Sequence, residues 1–406
     1  MISNINRRCI SSSAGISNSN VLKNILGLTP EQIHTEISPL LSDVKPYISK
    51  QIFQWIYKKG CTDFSEMSNL SLETRSILSQ NFNINYGKTE TSQLSNDGTR
   101  KLLFDLSSVN STNATTKLSP SPKKELVETV FIPEDNRGTL CVSSQIGCAL
   151  NCKFCHTGTQ KFMRNLSAAD IVGQYMSFAH FYADFNKQTS VSPKSITNIV
   201  FMGQGEPLLN FSNLKQAINL LTRSDGINFP THKITVSTSG IAPLIEKVAT
   251  ELNVQLAISL HATDDSLRNK IMPINKSYPL AALFDSIRKF IKASEPKNSR
   301  ITFEYVLLDK VNDFHGDAVR LAKLIGGIKS HVNLIPFNPW PGSIYKCSPK
   351  PAIDEFLNVL LQKNISASVR KPRGLDIMAA CGQLKSSALS KMEKNTSPTP
   401  LRTKNL

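Results

Sequence analysis

No run in this chain approaches the roughly 18–20 continuous apolar residues that a membrane-spanning helix requires, so no such helix is expected and the protein should be soluble. Acidic residues are also scarce, 31 against 47 lysines and arginines, which leaves a formal net charge of +16. That deficit admits two readings. Basic composition is common among organellar proteins, and it equally suits a polyanionic partner, most simply RNA or DNA drawn in through its phosphates. Charged residues make up 19% and apolar residues 40% of 406 positions, which excludes a wholly disordered chain and allows one large core or two domains.

Cysteine is sparse as well. Eight residues, at 9, 61, 141, 148, 152, 155, 347 and 381, are too few to staple a chain this long. Three of them nevertheless crowd into the eight residues 148–155, which points to metal or redox chemistry before structural disulfides. No acidic residue precedes Glu31, while Arg7, Arg8 and Lys23 stand among serines and asparagines without a long apolar stretch. This profile excludes a secretory signal and predicts a mitochondrial transit peptide over residues 1–20, with a disordered cytoplasmic N-terminus as the alternative.

Residues 21–106 read as an accessory domain that begins with a small helical unit over 21–82. Within 46–59, Ile48, Ile52, Trp55 and Ile56 recur at helical spacing and make one apolar face. Leu70 to Phe82 forms a second amphipathic segment. Phe53, Trp55 and Tyr57 could touch RNA, but core packing is the favoured reading. A pair of short strands is expected over 88–106, around Asn96-Asp97-Gly98. Residues 107–125, rich in Ser, Thr and Pro, read as a low-complexity surface insertion, and 386–406 as a disordered basic tail.

The core, 126–385, carries a repeating rhythm. Apolar, β-branched runs at 139–146, 195–202, 233–239, 254–261, 300–308 and 331–337 alternate with helical patterns at 167–183, 212–223, 243–251, 279–292, 315–325 and 352–363. Such alternation implies βα units on a parallel sheet, here a partial (β/α)6 barrel whose functional residues gather at the C-terminal ends of the strands.

The central motif is Cys148-Ala-Leu-Asn-Cys152-Lys-Phe-Cys155, placed just after the first barrel strand. A structural zinc site normally takes four protein ligands, so a zinc reading needs Cys141 or Cys381 as the fourth. Three thiolates on one short loop instead suit three irons of a 4Fe–4S cube. The open fourth iron can then chelate the amino and carboxylate groups of S-adenosylmethionine (SAM). Gly203-Gln204-Gly205-Glu206-Pro207 follows the second strand, where glycine permits close backbone approach and Glu206 can accept from an ammonium. Ser237, Ser259, His261 and Asn338 stand near the ends of the third, fourth and sixth strands. Each alone reads as an ordinary loop or cap residue; together they read as a set for ribose, carboxylate and adenine.

At this point the sequence resembles the RlmN/Cfr family of radical SAM RNA adenosine methyltransferases, most closely its RlmN branch, over about residues 22–385. The segments that carry the likeness are the stretch from Glu128 to Asp135, 137–155, 203–210, 237–240, 258–262, 333–342 and 379–384. The resemblance implies that Cys148, Cys152 and Cys155 bind the cluster, and that Gly205, Glu206, Ser237, Ser259, Leu260, His261 and Asn338 contact SAM. It implies that Cys381 is methylated by one SAM, and that a 5′-deoxyadenosyl radical from a second abstracts hydrogen from that methyl. The carbon radical then adds to carbon 2 of an adenine, with Glu128 as proton acceptor and Cys141 resolving the adduct as a disulfide forms with Cys381. Carbon 2 of adenine is electron-poor, so cofactor-derived radical chemistry and a covalent carrier overcome a step that direct transfer could not. Large-subunit ribosomal RNA, tRNA or both are the implied substrates, with an external flavodoxin or ferredoxin system as electron donor and a monomeric enzyme. Cys9, Cys61 and Cys347 match no role. Lys161 departs from the glycine more usual there without removing a ligand, and the 107–125 insertion is longer than expected and could affect RNA docking. Methylation of carbon 8 and a catalytically idle RNA- or metal-binding homologue are the rival readings; retention of Cys141, Cys381, Glu128 and the cluster cysteines argues against the idle one.

Overall fold

The computed structural model describes residues 22–41, 44–107, 124–186 and 194–386. The expected transit peptide, nearly all of the 107–125 insertion and the tail beyond Ser386 lie outside the described residues. Near the start, β1 (Lys23–Asn24) pairs parallel with β2 (Phe82–Asn83) and so ties together the two ends of a three-helix unit. Its helices are α1 (Pro30–Ile37), α2 (Pro46–Tyr57) and α3 (Leu72–Asn81). A capping box starts α1: the Gln32 N–H donates to Thr29 Oγ1, and the Thr29 N–H donates back to Gln32 Oε1 at 2.9 Å, with proline at the first helical position. The apolar face of α2 packs inward as its spacing predicts, and Phe53 and Tyr57 are fully buried. Trp55 is half-buried, with the Lys59 ammonium 3.4 Å from its ring centroid.

The sheet that follows has ten strands in the order β14-β13-β12-β11-β10-β9-β6-β5-β4-β3. The six strands expected from the sequence are all present and mutually parallel: β6 (Arg137–Cys141), β9 (Asn198–Phe201), β10 (Ile234–Thr238), β11 (Gln255–Ser259), β12 (Ile301–Leu307) and β13 (Ser330–Pro336). A short seventh, β14 (Ala367–Val369), extends the parallel edge. The connecting helices are α4 (Ala168–Phe181), α5 (Phe211–Thr222), α6 (Ala242–Lys247), α7 (Asp265–Ile271), α8 (Leu280–Ala293), α9 (His315–Ile325) and α10 (Lys350–Gln362). In α8, Leu280, Leu283, Phe284, Ile287 and Phe290 recur on one face and are buried, and Phe284 stacks on Phe303 of β12. Each such fully buried side chain contributes about 1.5–3 kcal/mol.

Two placements differ from the sequence expectation. The hairpin β3 (Lys88–Leu94) and β4 (Arg100–Asp105) forms around Asn96-Asp97-Gly98, but it joins the large sheet instead of staying with the helical unit. It does so through β5 (Leu126–Glu134), a nine-residue strand the periodicity did not reveal. The reason is burial on both faces: Val127 to Phe131 are all buried, so no polar residue marks every second position. Finally, β7 (Gln145–Ile146) and β8 (Arg164–Asn165) pair antiparallel and pin the two ends of the cysteine loop.

Candidate active site

The cysteine loop leaves β7 through Gly147, whose φ of +75° is open to glycine; a Cβ there would sit 2.3 Å from the Lys161 carbonyl oxygen. A turn closes it, with the Cys155 N–H donating to Cys152 O at 3.1 Å, and the Lys153 N–H donates to Ile271 O at 2.9 Å. Cys148, Cys152 and Cys155 all line one cleft, which holds about 1000 Å³ of open space, its mouth included. Burial pushes the Cys148 thiol up to about 12 and raises those of Cys152 and Cys155 as well. They ionise once a cation's charge is beside them. Among the described residues no three His, Cys, Asp or Glu side chains converge as a single-ion site requires. Thiols spread around a cleft suit the separate corners of an iron–sulfur cube, so the donor set fits the cluster and disfavours zinc.

The strand ends supply the opposite wall. Gly205 has φ +95° and packs where a Cβ would meet Gln145 at 2.5 Å. Beside it, Glu206 is buried and ties two loops together, accepting from the Leu208 N–H at 3.2 Å and the Ser239 N–H at 2.8 Å. Burial raises its carboxyl despite those bonds. Ser237, Ser259, His261 and Asn338 line the same cleft, and Asn338 Nδ2 also donates to Cys381 O at 3.1 Å. Leu260 does not face the cleft. Its side chain is fully buried, its N–H donates to Glu304 O and its carbonyl accepts from Arg268.

His261 sits in the left-handed region at φ +56° and accepts the Val306 N–H on Nδ1 at 3.0 Å. That bond assigns the neutral tautomer with hydrogen on Nε2. Burial, with Arg268 nearby, drives its pKa down to about 3. The unfolded chain takes this proton near pH 6.5 and the folded chain only near 3, so the stability present above pH 6.5 is lost as pH falls through that window. Between pH 6.5 and 5 the loss is about 2 kcal/mol. His261→Gln should flatten the difference in urea unfolding between pH 7 and pH 5 by about that amount; equal slopes in both proteins would refute it.

Cys381 lines the cleft from a loop that the cluster segment itself holds in place. The His156 N–H donates to Gly382 O at 2.7 Å, Thr157 Oγ1 donates to Leu384 O at 2.6 Å, and the His156 ring stacks on Trp340. The hairpin turn braces the approach: Gly374 N–H donates to Asp97 at 2.9 Å, and Ser95 and Asn96 donate to Asp376. Cys141 ends β6 behind the cleft and packs with Val130, Ala379 and Leu384. Burial first, and then the neighbouring Cys381, push its thiol up to about 12. Cys141 and Cys381 are both free thiols here. Glu128 likewise lies behind the cleft, paired with Lys101 at 3.1 Å, both side chains no more than 2% exposed. Burial raises its carboxyl, opposed by Lys101.

Four charged residues here escaped the sequence reading. Lys101 bonds Met378 O at 3.3 Å as well as Glu128. A lysine ahead of the apolar run of β4 was the available signal. Arg268, fully buried in α7, donates to the carbonyls of Leu260, Ser239 and Ser259 and to Asn275, and so binds two strand-end loops together. Glu304 and Arg370 line the cleft. Nothing local marks these last three. Of the unmatched cysteines, Cys61 is buried and bonds Asp63 O, Cys347 is exposed, and Cys9 lies outside the described residues.

Three cysteines on a loop above the ends of parallel strands, facing a cleft with Glu206 opposite, define a radical SAM enzyme, and residues 142–322 match the Radical SAM superfamily. Residues 23–84 match the ribosomal RNA large subunit methyltransferase N-terminal domain. The chain is 46% identical over 368 residues to the dual-specificity RNA methyltransferase RlmN of Rhodospirillum rubrum, covering 90% of this chain and 81% of that protein. It is 43% identical over 366 residues to RlmN of Acidiphilium cryptum, covering 90% and 89%. A solved radical SAM methyltransferase from Sphaerobacter thermophilus superimposes with a TM-score of 0.79 at 35% identity, covering 90% of this chain and 99% of that one. The chain belongs to the RlmN family. It is a SAM-dependent RNA methyltransferase of the radical SAM type, whose cofactors are a 4Fe–4S cluster and SAM. The expected mitochondrial location does not stand: these similar RlmN proteins are bacterial, and a basic, serine-rich N-terminus is too general a signal to outweigh them.

Proposed function

We propose that this enzyme methylates carbon 2 of adenosine in large-subunit ribosomal RNA and tRNA, through a methyl group carried on Cys381 and with two SAM molecules per turnover. The observation that carries the reading is the meeting of Cys141 and Cys381, 240 residues apart in sequence, beside the cleft lined by the cluster cysteines. When bound, the cluster gives an electron to SAM and so supplies a 5′-deoxyadenosyl radical. Cys148, Cys152 and Cys155 hold the cluster. Glu206 accepts from the SAM ammonium, while Gly205, Ser237, Ser259, the Leu260 backbone, His261 and Asn338 bind and orient the rest of it. Cys381 brings its methyl carbon to the base; Glu128, with Lys101 beside it, takes the proton lost from carbon 2; Cys141 takes the sulfur of Cys381 as the adduct breaks down.

The accessory domain and the net charge of +16 support a folded RNA partner, whose base must leave its stack to reach a recessed cysteine. A separate flavodoxin or ferredoxin system supplies the electron, and the enzyme acts as a monomer. The test is anaerobic reconstitution with iron and sulfide, addition of SAM, reductant and RNA, and mass spectrometry of the digested adenosines. 2-Methyladenosine is expected. 8-Methyladenosine would overturn the position, and SAM cleavage without any methylated adenosine would overturn the substrate.

A further inference from the structure

Two charges inside the cleft have no part in the roles above. Glu304 lies on β12 with Oε1 accepting from Asn333 Nδ2 at 2.9 Å; its Oε2 is sealed from bulk solvent and has no hydrogen-bond partner. The side chain as a whole is 4% exposed, and it lines the cleft. Arg370 follows β14, its backbone N–H donating to Leu334 O at 2.8 Å. Its guanidinium also lines the cleft, and its charge is reinforced first by Cys381 and, against burial, by Glu304 and Cys141. Among the described residues the guanidinium is in no ion pair with Glu304.

A carboxylate and a guanidinium in one pocket ordinarily close into a bidentate pair. No such pair forms here. Glu304 is in register with Asn333 on β13, which is in register with Ser368 on β14, and Arg370 stands two residues beyond Ser368, so the two side chains leave strands that lie about 10 Å apart. The result is an unfilled acceptor on Glu304 and a guanidinium outside any ion pair among the described residues, both lining one cleft. A buried acceptor left unpaired is costly, and a ligand bearing the complementary edge recovers that cost.

We propose that Glu304 and Arg370 form the recognition subsite for the extruded adenine, Glu304 Oε2 accepting from the 6-amino group and Arg370 donating to N1. The inference rests on the reading of an RNA adenosine as substrate. The ring atoms run N6–C6, N1, C2 in order, and Arg370 is the shared neighbour of Glu304 and Cys381, both of which act on its charge in the same cleft. The carbon adjoining the nitrogen held by Arg370 is then carbon 2, turned toward the Cys381 sulfur. Carbon 8 lies on the far side of the ring. Guanine would place a carbonyl oxygen against the carboxylate and an N–H against the guanidinium, so it is rejected by two like-for-like contacts.

The experiment uses the reconstituted full chain and RNA oligonucleotides carrying adenosine, purine riboside (which lacks the 6-amino group) or inosine at the target position. Single-turnover transfer, the SAM dissociation constant and the mass of the protein with methylated Cys381 are measured for wild type, Glu304→Gln and Arg370→Lys. Wild type should prefer adenosine over purine riboside by at least about tenfold, since a site built to bond an N–H rejects analogues without it by up to roughly 10⁴-fold or more. In Glu304→Gln that preference should shrink below about threefold, and inosine, whose O6 the new amide can reach, should gain. Arg370→Lys should slow transfer to every base while Cys381 still acquires its methyl. Equal rates on adenosine and purine riboside in wild type would overturn the subsite, a result that needs no variant to fold. A tenfold weakening of SAM binding in Glu304→Gln would overturn it too, because the pair would then hold the cofactor. Wild type that methylates no RNA adenosine would instead defeat the substrate reading beneath it.

Discussion

Cys381→Ala is expected to abolish methyl transfer to RNA, by roughly 10⁴-fold or more, because it removes the atom that carries the group. The loop around it should survive the change. Its anchors are backbone and neighbouring side chains: Gly382 O to the His156 N–H, Leu384 O to Thr157, and Gln383 Nε2 to Pro339 O at 2.7 Å. None uses the Cys381 sulfur. The variant should therefore load its cluster, bind SAM and show the iron–sulfur absorbance of wild type while its intact mass never rises by a methyl group. Full methylation by Cys381→Ala would remove the covalent carrier from the mechanism. Loss of the cluster in the variant would show instead that the thiol has a structural part, for which Cys155 is the neighbour that feels it.

The second large effect concerns stability. Lys101→Met strands the Glu128 carboxylate, 1% exposed, without its partner, and removes the donor to Met378 O. Breaking a buried pair from one side costs about 3–5 kcal/mol, because an uncompensated charge remains. For a chain of 406 residues that is a fall in Tm of roughly 4–6 °C. Replacing both partners, Lys101→Met with Glu128→Gln, should recover most of the loss, since two neutral side chains need no mutual compensation. Thermal unfolding of both variants decides it. A double variant as unstable as the single would mean that packing of the lysine stem, not the charge, holds β4 and β5 to the Cys381 loop.

Much of this site could be read before any fold was seen. Cys148, Cys152 and Cys155 are close in sequence, so any folded conformation keeps them near one another. The six parallel strands each announce themselves as a β-branched run between amphipathic helices, and their C-terminal ends carry Glu206, Ser237, Ser259, His261 and Asn338 as expected. Leu260 shows the limit of that reading. Side chains alternate along extended backbone, and between Ser259 and His261, which line the cleft, the leucine turns into the core. The short helix α7 was not foreseen either, and with it went Arg268, whose four acceptors come from three separate stretches of chain.

By itself the sequence determined the local chemistry: a cysteine loop suited to a cube, the strand-end polar set, the basic balance of charge and the order of the βα units. These depend on spacing within a few residues, which backbone geometry converts directly into neighbourhood. The tertiary structure alone decided the rest. It brought Cys141 to Cys381, laid β4 and β5 against the barrel so that Lys101 meets Glu128, and held Glu304 and Arg370 two strands apart in one cleft. Those meetings depend on sheet register, where a slip of one residue would turn each side chain to the opposite face. No local pattern encodes register between strands separated by whole helices and loops; the packing of the whole sheet does.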